Sequence, residues 1–164
     1  MIKTPGLAAA LVLAATTASA QDAFVEFKAL KPELAAKAAM AAMTHCRSEG
    51  YQVGVAVVDR FGTMQAFVRD RYAGAHVEET ARRKAWTAAS FRTDTMALGD
   101  LTAPGTMFSG IRDLSQPLAL GGGVQIEHAG ALVGGIGVSG APSPELDDIC
   151  ARAGIAAIDE DMGL

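Results

Sequence analysis

The chain has 164 residues, half of them hydrophobic, and a formal net charge of −4. That length suits one domain with a real core, and the mildly acidic balance speaks against non-specific nucleic-acid binding.

Residues 1–20 read as a secretory signal peptide. Lys3 gives a basic start, Leu7 to Ala14 form an apolar run too short to span a bilayer, and Ala18-Ser19-Ala20 offers a small-residue cleavage site. Cleavage after Ala20 leaves residues 21–164 as a single domain, and removing Lys3 from the 14 basic residues leaves 13 against 18 acids. No later stretch is long and apolar enough to cross a membrane, so the expected address is periplasmic or secreted.

Leu30 to Glu49 has helical periodicity, with Leu34, Ala38, Ala41 and His45 on one side and Glu33, Lys37, Thr44 and Arg47 on the other; Gly50 stops it. Val53 to Asp59 is apolar on both alternating sets, the pattern of a central strand covered on both faces. The turn Asp59-Arg60-Phe61-Gly62 and the run Met64 to Arg69 complete a hairpin. A second helix is expected from His76 to Phe91, its buried stripe being Val77, Ala81, Ala85 and Ala88. Pro104-Gly105, Ser109-Gly110 and Pro117 break up the next segment into short turns and loops. Val124 to His128, Ala129-Gly130 and Ala131 to Val138 form a second hairpin. Ser143 then caps a last helix with Pro144 and acids in its first turn, its inner face formed by Leu146, Ile149, Cys150, Ala153, Ala156 and Ala157. The expected fold is α+β: an antiparallel sheet of about five strands, built from two hairpins and flanked by helices on both faces.

His76, Thr80, Arg83 and Thr87 recur at i, i+4, i+7 and i+11 on the second helix and so share one stripe. An imidazole that can ligate a metal, two hydroxyls and a carboxylate-pairing guanidinium suit haem; a solvated helix face gives the same spacing. His45 is read either as a core histidine or as a pocket ligand, and His128 as an exposed residue beside a turn. His76 with Glu79 lacks the second histidine of a zinc protease motif. Gly121-Gly122-Gly123 and Gly134-Gly135 with Gly137 lack phosphate-loop context and point to close packing against a backbone or a flat ligand. Ser139-Gly140 before the helix start at Ser143 could hold an anion such as a propionate. Neither a nucleophile elbow nor an obvious base beside a cysteine is present. Cys46 and Cys150 would bond if the first and last helices pack side by side; otherwise they are two buried thiols.

Four blocks in order, Val55-Ala56-Val57-Val58-Asp59-Arg60-Phe61-Gly62, His76 to Ala88, Leu120-Gly121-Gly122-Gly123-Val124-Gln125-Ile126 and Gly134-Gly135-Ile136-Gly137-Val138-Ser139-Gly140, resemble the GlcG/HbpS family from about Leu30 to Ile158. The resemblance implies a helix-flanked antiparallel sheet, a homo-oligomer and haem as cofactor, with His76 the first choice of iron ligand, His45 the alternative and Thr87 a pocket hydroxyl or oxygen ligand. The function it implies is haem binding for storage, sensing or delivery outside the cytoplasm. Two other readings stand beside it: an enzyme degrading haem or acting on another small molecule, and a subunit binding a partner protein in an exported system. With no acid–base or nucleophile constellation in the sequence, binding is favoured over turnover.

Overall fold

Two features of the central strand dictate the layering. Residues Val55 and Val57 point to one face of the sheet, Ala56 and Val58 to the other, and all four are fully buried. Both faces must therefore be covered, and in the computed structural model, which describes Met1 and residues 24–163, they are. The expected signal peptide lies, Met1 apart, outside the described residues.

The elements run α1 (Pro32–Ser48), β1 (Gly54–Asp59), β2 (Met64–Arg69), α2 (Val77–Phe91), α3 (Thr95–Leu101), a 3-10 turn (Ser109–Asp113), β3 (Gly123–His128), β4 (Ala131–Ser139), α4 (Pro144–Ala156) and α5 (Asp159–Met162). The strands form one antiparallel sheet in the order β2-β1-β4-β3. It has four strands among the described residues rather than about five. The two hairpins join directly through β1 and β4, and the punctuated segment between α2 and β3 supplies only short helical turns.

Turn chemistry fixes both hairpins. Asp59 Oδ1 accepts from the Phe61 and Thr63 amides, closing the first turn with a side chain. Ala129 and Gly130 both adopt positive φ, the requirement of a two-residue turn that matches strand twist. Ser143 caps α4 by accepting from the Leu146 amide, with Pro144 in the first turn.

On one face α1 and α4 pack over Val55, Val57, Val124, Ile126, Ile136 and Val138. On the other, Ala81, Ala85 and Ala89 of α2 pack on Ala56 and Val58. Here β4 carries glycines: a Cβ on Gly137 would strike the Ala81 carbonyl oxygen and the Ala85 nitrogen, and one on Gly135 the Ala85 carbonyl oxygen. The glycine pattern thus lets a helix backbone lie directly on the sheet.

Two buried faces differ from the expected stripes. In α1 the buried positions are Ala35, Ala38, Ala39, Ala42, Met43 and Cys46, while Leu34, Ala41 and His45 sit half-buried on the shoulder. In α4 they are Asp147, Cys150, Ala151 and Gly154, and Ile149 looks outward. The reason lies in the seam between these helices. A Cβ on Gly154 would meet the Ala38 carbonyl oxygen at 2.6 Å, and Cys46 is disulfide-bonded to Cys150 with Cα atoms 5.5 Å apart. Close approach selects the smallest residues for the seam and turns the larger ones to its edges. Among the described residues no helix is long and apolar enough to cross a membrane.

Candidate functional site

Three chain segments converge at one end of the molecule: the start of α2, the end of β4 and the start of α4. They enclose a cavity of about 560 Å³ whose wall includes His76, Thr80, Lys84, Ser139, Ser143 and Asp147. Positions 76, 80 and 84 are spaced i, i+4 and i+8, so α2 and the His76 that caps its start present all three toward the same end of β4.

His76 immediately precedes α2 and is exposed. Its ring lies against Gly74, where a Cβ would approach Cε1 at 2.6 Å and Nδ1 at 2.7 Å. Among the described residues its ring nitrogens make no hydrogen bond, so the imidazole is available to a ligand. One turn on, Thr80 Oγ1 lies 2.9 Å from the His76 carbonyl oxygen and 2.7 Å from Ser139 Oγ. With one hydrogen each, Thr80 donates to the carbonyl while Ser139 donates to Thr80.

Beneath them lies a buried ion pair. Lys84 is only 1% exposed, and its Nζ donates to Asp147 Oδ2 at 2.7 Å and to the Val138 carbonyl at 2.9 Å. Asp147 Oδ1 accepts from the Ala141 amide at 2.9 Å. Burial pushes the Lys84 ammonium below its ordinary range and the Asp147 carboxyl above its own, with mutual attraction opposing both shifts. The pair ties α2, β4 and α4 together at the floor of the cavity. In the same wall, buried Gln52 Oε1 accepts no hydrogen bond among the described residues.

The four-residue stripe read from the sequence divides in two. His76 and Thr80 reach the cavity; Arg83 and Thr87 instead hold the loop before β3. Arg83 donates to the carbonyls of Gln116 and Pro117, and the buried Thr87 hydroxyl donates to the Arg83 carbonyl while accepting from the Leu118 amide. His45, half-buried near the end of α1, does not line this cavity. His128 is half-buried rather than exposed and lines a separate concavity of about 310 Å³ with Leu30, Leu34 and Met162. Ser143 spends its hydroxyl on the α4 cap.

Lys84 and Asp147 were legible only as ordinary charges. A lysine inside the Ala81-Ala85-Ala88 stripe is the signal that could have marked it, since a charge there must be paired or neutralised. Asp147 fits the N-terminal acid rule equally well and gives no separate sign.

The model of the HbpS-like haem-degrading protein family matches residues 30–156, and the chain belongs to that family. It is similar to the corrinoid adenosyltransferase PduO of Salmonella typhimurium, 38% identical over 108 residues that make up 65% of this chain and 32% of that protein. The chain spans about a third of the length of the curated relatives it matches. A crystal structure of a double mutant of HbpS from Streptomyces reticuli superposes with a TM-score of 0.79 at 38% identity, covering 93% of this chain and 99% of that one. The structure of a PduOC–haem complex has a TM-score of 0.76 at 33% identity and covers 80% of this chain and 96% of that one.

Proposed function

We propose that this protein is exported and binds haem for storage, sensing or delivery, with His76 as the iron ligand. The observation that carries the reading is an exposed imidazole, free of hydrogen bonds among the described residues, at the wall of a cavity of about 560 Å³. The residues present fit the group. Leu120 and Pro142, both exposed, give the cavity apolar surface for a macrocycle. Family membership and the haem complex of a relative support the same choice. When bound, haem supplies an iron centre; the chain's own part is to ligate it, orient it and limit water around it.

The family resemblance further supports a homo-oligomer, and residues 1–20 support a periplasmic or secreted address. Hemin titration of the purified protein should develop a shifted Soret band, and His76→Ala should weaken binding or change that spectrum. An unchanged spectrum and affinity in His76→Ala, with loss in His45→Ala, would move the ligand to α1.

A second reading, oxidative haem degradation, draws on the family description and on the ionisable Lys84–Asp147 pair at the cavity floor. Incubating the haem complex with a reductant and oxygen separates the two. A persistent Soret band with no open-chain product supports binding alone.

A further inference from the structure

Beside the main cavity lies a smaller concavity of about 270 Å³ lined by Arg83, Arg112, Pro117, Leu118, Ala119 and Leu120. Leu120 belongs to both walls, so the two spaces adjoin. Two guanidiniums from segments far apart in sequence, α2 and the 3-10 turn, therefore face one small space next to His76's cavity.

Arg112 is held in place by uncharged acceptors alone, whereas Arg83 is also paired with the exposed Glu79 carboxylate. Arg112 donates through Nε to the Thr102 carbonyl and hydroxyl and through Nη2 to the Gly99 carbonyl, and none of these carries charge. Arg83 donates to the Gln116 and Pro117 carbonyls and, at 3.3 Å, to the exposed Glu79. A guanidinium has five N–H groups. These bonds use three on Arg83 and two on Arg112, leaving donors on both with no acceptor among the described residues. An anion between the two guanidiniums fills the idle donors and gives the Arg112 charge the carboxylate partner it lacks among the described residues.

The position along the helix matches the proposed iron ligand. Arg83 follows His76 by two helical turns on the same face, roughly 10 Å along the axis at 1.5 Å per residue. We infer that Arg83 and Arg112 form a carboxylate subsite that takes the propionates of a haem ligated by His76. This inference rests on the haem reading above. It adds Arg112 as an affinity-determining residue and gives the Arg83 guanidinium a ligand beyond its loop contacts.

The test compares hemin with hemin dimethyl ester, whose propionates are masked, on the full chain and on Arg83→Gln and Arg112→Gln. The wild type should prefer hemin over the ester by about tenfold or more, the range of a charge-assisted hydrogen bond. In each variant that preference should fall toward unity while ester affinity stays near the wild-type value. An ester that binds the wild type as tightly as hemin, or a preference that survives both substitutions, overturns the inference and leaves haem binding intact. If hemin does not bind at all, the haem reading fails and succinate decides the subsite alone. Saturable shifts of the Arg83 and Arg112 Nε–H resonances with succinate support a carboxylate subsite, and their absence overturns it. Because Arg112 also braces the Thr102 and Gly99 carbonyls, Arg112→Lys serves as the companion variant. It keeps the charge but loses the fork, and should retain part of the hemin preference.

Discussion

Lys84 shows how one side chain can join three elements of the fold. Its stem runs within the alanine stripe of α2, and its ammonium reaches Asp147 on α4 and the Val138 carbonyl on β4. Removing one partner from such a pair leaves an uncompensated charge in the interior, which costs far more than the pair itself contributes. Asp147→Ala should therefore lower stability by about 3–5 kcal/mol, read by denaturant unfolding with the single tryptophan, Trp86, as the probe. Adding Lys84→Met should return part of that loss, because the double variant no longer buries a lone ammonium. If the double variant is as unstable as the sum of the two single changes, the pair is not coupled as the geometry requires. The residues of the candidate site were partly legible. His76 and Thr80 stood out by spacing, but the helical period could not tell that Arg83 and Thr87 turn toward the loop at Gln116 to Leu118.

At the level of elements, the determining contact is α2 against β4. Gly135 and Gly137 allow the helix backbone to sit on the strand, and Gly123 on β3 does the same beneath the Lys84 carbonyl. A methyl group at 137 meets backbone atoms, which cannot turn aside as a flexible side chain can. Gly137→Ala should destabilise the protein by about 1–3 kcal/mol or more and should weaken hemin binding as well, since His76 caps the start of α2. Unaltered unfolding and unaltered binding would mean that the helix has room to lift. The strands were readable from alternation and turn residues, and the caps from Ser143 and Pro144. The inner faces of α1 and α4 were less so. Both helices are rich in alanine, so hydrophobicity gives many near-equivalent stripes, and the seam selects by size instead.

For the molecule as a whole, the Cys46–Cys150 disulfide closes a sequence separation of 104 residues and fastens the first long helix to the last. Constraining so long a loop lowers the entropy of the unfolded chain, and loss of such a bond costs about 2–5 kcal/mol in small exported domains. The Cys46→Ser, Cys150→Ser double variant should unfold at lower denaturant with the fold intact beforehand. A midpoint equal to that of the oxidised wild type would show the bond adds nothing.

By itself the sequence determined the order of elements, both hairpins and the two-faced burial of β1, because each follows from local chemistry or short periodicity. Only the tertiary structure decided the rotation of α1 and α4, the buried Lys84–Asp147 pair, and the meeting of Arg83 with Arg112. Those features join residues 29 to 116 positions apart, and no spacing rule reaches that far. They are set by which backbones can approach closely, and here glycine and alanine at the seams made that choice.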